Sequence, residues 1–463
     1  MAPEATAIEV GDDRLRFDEL RDLAAARVAG MPSLSSVCLP NGTEFVVEFA
    51  AGVAGGRRCA VLDPGWPAAE RVVVERRLLS VAPAADLGAV STAGSASGSE
   101  LRDGRADSVF LVGFTSGTTS VPKAFTRTRR SWQAAFELSR EYFGLTSQDR
   151  TLAPGPLTAS LNLYALAESL HAGATFVTLP RFDVAAALAC VTDRGITRLV
   201  AAPTALRLIG GRALASGVDG SRLTSIISAG ARLDAATLAT VRRWAPNAAV
   251  FDYYGAAELS FVAASVVRPG EASAPQSTSV GRPFPGVEIR ILDDRGSEPA
   301  GGVPGNIFVR SPLVSDGYAW GDDGEAFRRE GDWCTVGDQG FLDTAGVLHF
   351  LGRRADMIVT AGRNVYPQEV ETALQGVPGV EAVVATGIPD ASRGTRLVAA
   401  VLGSPDVDAS RLRAAVAALL AEAKRPRSYF ALAELPVTAT GKISRALLAR
   451  WIEEKDARVT PLA

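Results

Sequence analysis

Short apolar runs alternate with amphipathic stretches through the first half of the chain. Runs of strand length, such as SVFLVGF and ATFVTLP, are each followed by a helical pattern, such as TRRSWQAAFELSREYF and VAAALACVTDRG. This alternation is typical of βαβ units, in which helices cover both faces of a mostly parallel sheet. The pattern therefore predicts an α/β fold for this part of the chain.

From about Gly281 the apolar runs become shorter and are separated by Gly, Pro and Asp turns, as in VEIRILDDRG and GNIFVR. This change predicts a small β-barrel-like subdomain of short strands. A further α/β pattern follows residues 352–356 and includes the Ala-rich segment DASRLRAAVAALLAEA. We therefore expect a large N-terminal domain, residues 1–352, of helix-flanked mostly parallel sheets plus this subdomain. A small mobile α+β C-terminal domain, residues 353–463, would follow it.

Composition and charge narrow the possible functions. The chain has 463 residues, 47% of them hydrophobic and 21% charged, which is typical of folded globular proteins. Lys and Arg total 48 against 51 Asp and Glu, so no broad basic surface is expected and nucleic acid is disfavoured as a partner. The sequence makes no prediction of the oligomeric state.

The same sequence argues against membrane insertion, secretion and a structural zinc site. No run of about 20 residues free of charge and turn formers is present, and the acidic N-terminus lacks the apolar core of a secretory signal. Four widely spaced cysteines and two histidines are too few and too scattered for a structural zinc site or a disulfide framework. A cytoplasmic location is therefore predicted.

The strongest chemical signal is FTSGTTSVPKAF, which directly follows the strand SVFLVGF. Backbone N–H groups, the hydroxyls of Ser116, Thr118 and Thr119, and the ammonium of Lys123 are the donors that a polyphosphate requires. The segment is not a Walker A loop, because that motif would place Gly where Pro122 stands. An ordinary Ser/Thr surface turn has a similar composition. The presence of other motifs in the chain therefore decides between a phosphate-binding loop and a surface turn.

Those motifs resemble the adenylate-forming superfamily of acyl- and aryl-CoA synthetases, luciferases and nonribosomal peptide adenylation domains, most of all an acyl-CoA synthetase. TSGTTSVPK, residues 115–123, is similar to the family's phosphate loop, with Ser120 where Gly is usual. Four further motifs follow in family order: DYYGAAE (252–258) for YGxTE, VGDQGFLD (336–343) for TGDxGxxD, GRRADMIVTAGRNVYPQEVE (352–371) for GRxDDxIxxGGxNIxPxEVE, and PVTATGKISR (436–445) for PxTxxGKxxR.

The resemblance implies a nucleotide site with assigned roles. The phosphates of ATP would be held by Thr115, Ser116, Gly117, Thr118, Thr119 and Lys123, with Thr118 also counted as catalytic. The adenine would lie among Gly230, Ala231, Tyr253, Tyr254, Gly255 and Ala256, with Tyr254 stacked on the base. Asp338 and Arg353 would bind the ribose, and Glu258 would ligate Mg²⁺, a hard cation suited to carboxylate oxygen. Without the motifs, Glu258 could be a helix cap and Asp338 a turn residue.

The resemblance also implies two catalytic states of the small domain. Attack of a carboxylate on the α-phosphorus brings two anions together, so a cation is needed there, and Lys442 would supply it once the domain closes. In the second half-reaction the domain would rotate, and Gly362 would let the pantetheine arm of CoA pass close to the backbone. Outside the motifs, Lys442 would be interpreted as a surface charge and Gly362 as an ordinary turn.

Four departures from the family pattern qualify this assignment. Ala257 stands where a Thr or Ser usually contacts the α-phosphate, and losing that hydrogen bond should cost about 1–2 kcal/mol. Ala355 replaces the usual hinge Asp or Lys, Ala159 replaces a His or aromatic residue that gates the acyl pocket, and Val336 replaces Thr. We interpret the chain as a specialised branch, with secondary metabolism as one hypothesis, and not as a pseudoenzyme.

The predicted function is ATP- and Mg²⁺-dependent activation of a small or medium aliphatic or aromatic carboxylic acid, followed by thioester formation with CoA. Segments 157–161, 202–204 and 255–261 would form a mostly small and apolar acyl pocket. An amino acid is disfavoured because Asp252 is the only nearby candidate to bind its ammonium group. Two alternatives stay open: a different acceptor (a carrier-protein thiol, an amine, or activation of an anion such as nitrite), or a nucleotide-binding scaffold without turnover.

Overall fold

The computed structural model describes residues 2–81, 101–115, 122–272, 278–322, 324, 327–360, 363–390, 394–437 and 443–462. The chain divides into two compact units. The first contains Met1–Ser273, Val280–Arg290 and Phe308–Val336, and the second contains Ala274–Ser279, Ile291–Ile307 and Gly337–Ala463. The domain boundary predicted at Gly352 falls inside the second unit, and it stays a prediction.

Eight of the described α-helices lie in the first unit and three in the second. Those of the first unit are α1 (Phe17–Val28), α2 (Thr43–Gly52), α3 (Ala68–Val81), α4 (Arg129–Phe143), α5 (Ser160–Ala172), α6 (Val184–Asp193), α7 (Pro203–Ser216) and α8 (Ala235–Trp244). Those of the second unit are α9 (Pro367–Gln375), α10 (Ala409–Leu419) and α11 (Arg445–Glu454). Within the described residues, every helix is too short or too polar to cross a lipid bilayer.

The strands are numbered through both units. In chain order they are β1 (Thr6–Val10), β2 (Asp13–Arg16), β3 (Leu34–Val37), β4 (Arg58–Val61), β5 (Val109–Thr115), β6 (Lys123–Thr128), β7 (Arg150–Leu152), β8 (Thr175–Thr178), β9 (Arg198–Ala201), β10 (Ser225–Ala229), β11 (Ala249–Ala256), β12 (Ser260–Val267) and β13 (Ser279–Pro283). They continue as β14 (Glu288–Leu292), β15 (Gly305–Arg310), β16 (Gly317–Trp320), β17 (Arg328–Glu330), β18 (Trp333–Thr335), β19 (Asp338–Leu342), β20 (Leu348–Arg353), β21 (Ile358–Thr360), β22 (Arg363–Val365), β23 (Val380–Asp390), β24 (Gly394–Gly403), β25 (Ser428–Leu432) and β26 (Val459–Pro461).

Two helix-flanked sheets form the framework of the first unit. One runs β12-β11-β10-β9-β7-β8-β1-β2, and the other runs β16-β6-β5-β4-β3. Strands β11, β10, β9, β7, β8 and β1 pair in parallel along the first sheet, and β3, β4 and β5 pair in parallel in the second. Helices α5 to α8 connect successive strands of the larger sheet. The predicted α/β class is confirmed.

The core of the larger sheet explains the continuous apolar runs in the sequence. Every residue of β9 and β10 is buried, because helices cover both faces of these strands. Leu199 and Ile226 of the sheet pack with Leu206 and Ile209 of α7 and with Trp244 at the end of α8. A strand buried on both faces cannot alternate apolar and polar side chains, and RLVA and SIISA do not.

Local signals in the sequence account for where several helices begin and end. Gly144, Gly173 and Gly217 adopt the left-handed conformation, with φ of 69°, 74° and 69°, immediately after α4, α5 and α7. Asp183 and Asp234 precede α6 and α8, and their carboxylates accept hydrogen bonds from N–H groups of the first turn.

The second unit is built around a four-stranded sheet in the order β23-β24-β25-β26. The strand pairs are antiparallel except for β24 with β25. Leu397 and Ala399 of β24 lie in the core with α9 and α10, whereas Ala400 packs in the cluster that contains Leu448 and Trp451 of α11. This alternation is the two-residue period of a strand covered on both faces.

The short strands predicted after Gly281, VEIRILDDRG, GNIFVR and GFLDTAGVLHFLG, are present as β14, β15 and the antiparallel pair β19–β20. The antiparallel pairs β17–β18 and β21–β22 were not predicted. The short strands agree with the predicted change of texture along the chain. The barrel-like closure of this region stays a prediction.

A buried ion pair joins helix α5 to strand β9. The guanidinium of Arg198 donates to Oε2 of Glu168 at 2.6 Å, and the two side chains are 3% and 1% exposed. Arg198 also contacts the hydroxyl of Thr151 at 3.4 Å. Among the described residues, Oε1 of Glu168 and Nε of Arg198 have no hydrogen-bond partner. Each charge in this pair therefore depends strongly on the other for compensation.

Replacing Arg198 by Met should leave the carboxylate of Glu168 buried and unpaired. Removing one member of such a pair typically costs about 3–5 kcal/mol in the free energy of unfolding. The matched control is Arg140→Met, which breaks an exposed pair with Glu137 on α4 and should cost about 0–1 kcal/mol. Urea titration followed by tryptophan fluorescence measures both. Equal, small losses in the two variants would contradict the assigned importance of the buried pair.

Candidate active site

The two ends of the predicted phosphate loop lie side by side. Strands β5 and β6 form an antiparallel pair in which Thr115 is directly opposite Lys123. Ser116, Gly117, Thr118 and Thr119 lie outside the described residues, so their predicted contacts with phosphate stay predictions. The described ends of the predicted phosphate loop, Thr115 and Lys123, therefore lie next to each other.

Strand β16 holds the returning end of this hairpin. It pairs with β6 so that Tyr318 lies opposite Phe125, and the indole N–H of Trp320 donates to the carbonyl of Pro122 at 3.0 Å. Lys123 is 6% exposed, and its Nζ lies 5.9 Å from the ring centroid of Tyr318. The predicted phosphate-binding lysine is thus fixed at its backbone and against an aromatic ring.

Glu258, the predicted magnesium ligand, lies beside the same hairpin. Its side chain accepts a hydrogen bond at Oε1 from the hydroxyl of Tyr318, and that hydroxyl lies 3.3 Å from Oγ1 of Thr115. The carbonyl of Glu258 accepts from the N–H of Ser315 at 2.7 Å. The structure therefore gathers Thr115, Lys123 and Glu258 around Tyr318, a residue that sequence reasoning missed.

Arg127 is a second residue that sequence reasoning missed. It lies on β6 and is 3% exposed, and its guanidinium donates to the carbonyls of Ala257 and Leu313. Burial lowers the pKa of Arg127 to about 10, although the nearby carboxylate of Glu258 acts in the opposite direction. Arg127 thus anchors the peptide that leads directly into Glu258.

Residues assigned to adenine meet at one edge of the larger sheet. Strands β10 and β11 are parallel, with Ala229 opposite Tyr253, so Gly230 and Ala231 follow one strand end while Tyr254 lies at the end of the next. The carboxyl ends of parallel strands are where ligands bind in such sheets.

Gly255 and Ala256 complete this edge at the end of β11. A Cβ atom at Gly255 would lie 2.2 Å from the carbonyl oxygen of Ser260, so only glycine fits there. Gly230 has φ +86°, a left-handed conformation that also favours glycine.

A carboxylate at the same edge has an unused acceptor. Asp252 precedes Tyr253 on β11, and among the described residues its buried Oδ1 makes no hydrogen bond, while Oδ2 lies 3.4 Å from the N–H of Leu233. Burial raises the pKa of Asp252 to about 6. Such a group can accept a hydrogen bond from a ligand N–H, a role that sequence reasoning considered only for the ammonium group of an amino acid.

In the second unit the two predicted ribose-binding residues are neighbours. Asp338 and Arg353 are paired across β19 and β20, with Nε of Arg353 3.4 Å from Oδ1 of Asp338. Asp338 is 3% exposed. Their proximity to each other agrees with a shared role, whereas their contact with a sugar stays a prediction.

Gly362 and Lys442 lie outside the described residues, but the flanks of the Lys442 turn are described. Val437 and Ile443 form an isolated antiparallel bridge, and the N–H of Ser444 donates to the carbonyl of Pro436 at 2.7 Å. The described residues on either side of Lys442 are therefore held next to each other.

Arg445, the last residue of the same motif, forms ion pairs with two other residues of the second unit. Arg445 donates to Glu371 at 2.8 and 2.9 Å and lies 3.6 Å from Asp356 in the predicted hinge motif. Burial raises the pKa of Glu371, and the charge of Arg445 counteracts that shift.

A magnesium ion would not find a complete protein cage in the described part of the chain. No group of three or more His, Cys, Asp or Glu side chains is placed there to hold a metal. Magnesium commonly uses one or two carboxylates together with substrate phosphates and water. Glu258 beside the phosphate-loop hairpin fits that mode of binding.

Helix-flanked sheets, and a carboxylate close to the hairpin at the predicted phosphate loop, are the features expected of a nucleotide-binding enzyme of the adenylate-forming class. Two family descriptions match the chain: AMP-binding enzyme over residues 70–319, and AMP-binding enzyme C-terminal domain over residues 369–442. The chain belongs to the AMP-binding enzyme family. The predicted superfamily and the prediction of an enzyme are confirmed.

Individual relatives agree with this assignment. The uncharacterized acyl–CoA ligase YhfT of Bacillus subtilis (strain 168) is 33% identical over 476 residues, covering 98% of this chain and 96% of the relative. The structure of o-succinylbenzoate CoA synthetase (MenE) from Bacillus subtilis with its acyl-adenylate intermediate OSB-AMP has a TM-score of 0.83 and 27% identity, covering 100% and 97% of the two chains. Amide bond synthetase McbA from Marinactinospora thermotolerans has a TM-score of 0.82 and 27% identity, covering 96% of each chain.

The stability of the first unit should depend on the protonation of Asp252. Its pKa is 3.8 in the unfolded chain and about 6 in the fold, so the fold favours the protonated form. The stability that this group contributes is present below about pH 4 and is lost as pH rises through about 6, by roughly 3 kcal/mol.

Asp252→Asn removes this titration. We therefore expect the variant to gain stability relative to the original chain between pH 4 and pH 7, as measured by urea unfolding at several pH values. The control Asp219→Asn changes an exposed carboxylate whose pKa is lowered by its bond to Ser221, so its stability relative to the original chain should not rise over this range. A pH-independent difference between Asp252→Asn and the original chain would contradict the shift.

Proposed function

We propose that this chain is an ATP- and Mg²⁺-dependent acid–thiol ligase. It joins a small or medium aliphatic or aromatic carboxylic acid to AMP, releasing pyrophosphate, and then transfers the acyl group to the thiol of CoA, releasing AMP. The convergence of Thr115, Lys123 and Glu258 at one hairpin carries this proposal. Membership of the AMP-binding enzyme family and the similarity to YhfT and MenE support it.

The first unit is proposed to bind the triphosphate and the base. The loop of residues 115–123 donates hydrogen bonds to the β- and γ-phosphates, and Lys123 supplies a fixed positive charge. Bound Mg²⁺ would neutralise phosphate charge, with Glu258 as its protein ligand. The adenine is proposed to stack on Tyr254, and its exocyclic amino group suits the unused acceptor on Asp252.

The roles assigned to the second unit are proposals from the sequence motifs. Asp338 accepts hydrogen bonds from the ribose hydroxyls, beside Arg353. Lys442 supplies positive charge while the carboxylate oxygen attacks the α-phosphorus and pyrophosphate leaves. Gly362 leaves room for the pantetheine arm when the thiolate sulfur attacks the acyl carbonyl and AMP leaves.

The aromatic packing of the first unit favours a compact acid. In the predicted acyl-pocket segments, Leu157 is fully buried, and Phe261 packs against Tyr253 and Tyr164 with ring centroids 4.7 and 5.2 Å apart. Phe261 contacts both tyrosine rings, and the faces and edges of these rings suit a short aliphatic or an aromatic group. We therefore propose acids of small or medium size.

One alternative to CoA as the acceptor has specific support. McbA, a structural neighbour, is named an amide bond synthetase, so an amine is the second candidate acceptor. A carrier-protein thiol would use the same thioester chemistry as CoA and is proposed as an alternative partner. We also propose a cytoplasmic location, because the four cysteines are free, as expected in a reducing compartment.

Pyrophosphate exchange into ATP, measured across a panel of acids, tests the first half-reaction. We expect exchange with short aliphatic or aromatic acids and little with long-chain acids, because the aromatic rings around Phe261 suit a compact group. No exchange with any acid would instead favour a nucleotide-binding scaffold. Mass analysis of the products with and without CoA then tests the acceptor. Amide formation with a supplied amine, and no thioester with CoA, would favour the second candidate.

Replacing Lys442 by Ala should separate the two half-reactions. Loss of the cation at the α-phosphate should reduce adenylate formation by about a hundredfold or more. Thioester formation from a supplied acyl-adenylate should continue, since that step does not need this charge. Lys455→Ala, at the exposed end of α11, is the control and should leave both steps unchanged. Equal loss of both steps in the Lys442 variant would contradict the role.

A further inference from the structure

The hydroxyl of Tyr318 links three residues of the candidate site. It donates to Oε1 of Glu258, lies 3.3 Å from Oγ1 of Thr115, and belongs to a ring whose centroid is 5.9 Å from Nζ of Lys123. Tyr318 lies in GYAW, outside all five motifs that carry the family resemblance. The contacts therefore identify a residue for which neither the motifs nor the comparisons assign a role.

We propose that Tyr318 is the positioning residue for the magnesium ligand Glu258, and that it sets the affinity of the enzyme for Mg²⁺ together with ATP. This inference rests on the proposed function. The hydrogen bond uses one oxygen of the Glu258 carboxylate, and the second oxygen is the one that can approach a metal ion. A glutamate held in this way loses less conformational freedom when it ligates a metal than a freely rotating one does.

Strand β16 gives Tyr318 the rigidity that this role needs. Gly317 and Tyr318 pair with Thr126 and Phe125 of β6. The preceding residues are anchored too, because the N–H of Asp316 donates to the carbonyl of Thr126 at 3.0 Å and the N–H of Ser315 donates to the carbonyl of Glu258 at 2.7 Å. Tyr318 is therefore bound directly to strand β6, and the segment that carries Glu258 is bound to the residues that precede Tyr318.

Charge strengthens the same arrangement. A hydrogen bond from a neutral hydroxyl to a carboxylate is stronger than one between neutral groups. The ammonium of Lys123 also makes a cation–π contact with the ring of Tyr318. Tyr318 thus contacts both the positive and the negative group of the site.

Tyr318→Phe tests the inference, because it keeps the ring and removes only the hydroxyl. We expect the Mg²⁺ concentration for half-maximal pyrophosphate exchange to rise by roughly fivefold or more, the loss of one hydrogen bond to a charged group. The rate at saturating Mg²⁺ and the KM for the acid should change little, whereas the thermal midpoint should fall because the buried Glu258 carboxylate loses a hydrogen bond. A purely structural role would lower the thermal midpoint in the same way but leave the Mg²⁺ dependence unchanged.

Binding gives a second measurement that does not depend on turnover. Trp320 donates to the carbonyl of Pro122 beside the loop, so its fluorescence should report a titration of Mg²⁺ with a non-hydrolysable ATP analogue. The midpoint should shift in Tyr318→Phe as the exchange midpoint does. Tyr366→Phe is the control, since it also loses a hydroxyl hydrogen bond, to Oε1 of Gln339 in the second unit, and should leave the Mg²⁺ midpoint unchanged.

The outcomes separate the two proposals. If the original chain catalyses exchange and Tyr318→Phe has an unchanged Mg²⁺ midpoint, the positioning role is wrong and the proposed function stands. If no acid supports exchange but the fluorescence midpoint shifts in Tyr318→Phe and not in Tyr366→Phe, the metal-positioning role stands and the ligase function fails.

Discussion

Strand β6 is hydrogen-bonded on both sides, to β5 and to β16, and the candidate site depends on this double pairing. Pairing with β5 places Thr115 opposite Lys123, at the two ends of the predicted phosphate loop. Pairing with β16 brings Tyr318 and Trp320 against the same strand. A one-residue slip in either pairing would turn these side chains to the other face. The backbone hydrogen bonds between uncharged peptide groups of these three strands therefore determine where the charged side chains of the site lie.

The charges held by this scaffold are unusual because all three are buried. Lys123, Arg127 and Glu258 are 6%, 3% and 7% exposed. Charges removed from water are expensive unless opposite charges or hydrogen bonds compensate them. Carbonyl oxygens compensate Arg127, a tyrosine hydroxyl serves Glu258, and the aromatic ring lies near Lys123. Lys123 and Arg127 contribute positive potential that suits an anionic phosphate chain, while the carboxylates of Glu258 and Asp316 act in the opposite direction on Arg127.

The sequence predicted the α/β class from its alternation of apolar runs and helical patterns. The family resemblance put Thr115 and Lys123 at the two ends of one phosphate loop, and the structure adds that they pair directly across two strands. The resemblance also placed Gly230 beside Tyr254, and the structure puts both at the carboxyl ends of neighbouring parallel strands. Tyr318 could not be found in this way, because its partners are distant in sequence and GYAW has no signature. Arg127 was within reach: Lys123, Phe125 and Arg127 alternate along one strand and share a face.

Arg127 also changes the meaning of Ala257, the departure that most weakens the family pattern. A Thr or Ser at this position would offer one hydroxyl dipole to a ligand, and the methyl group of Ala257 offers none. The carbonyl of Ala257, however, accepts a hydrogen bond from the buried guanidinium of Arg127. A full charge in a poorly hydrated interior acts over a longer distance than a dipole does, because water does not screen it. The segment leading to Glu258 therefore retains a source of positive potential without the hydroxyl, supplied from strand β6.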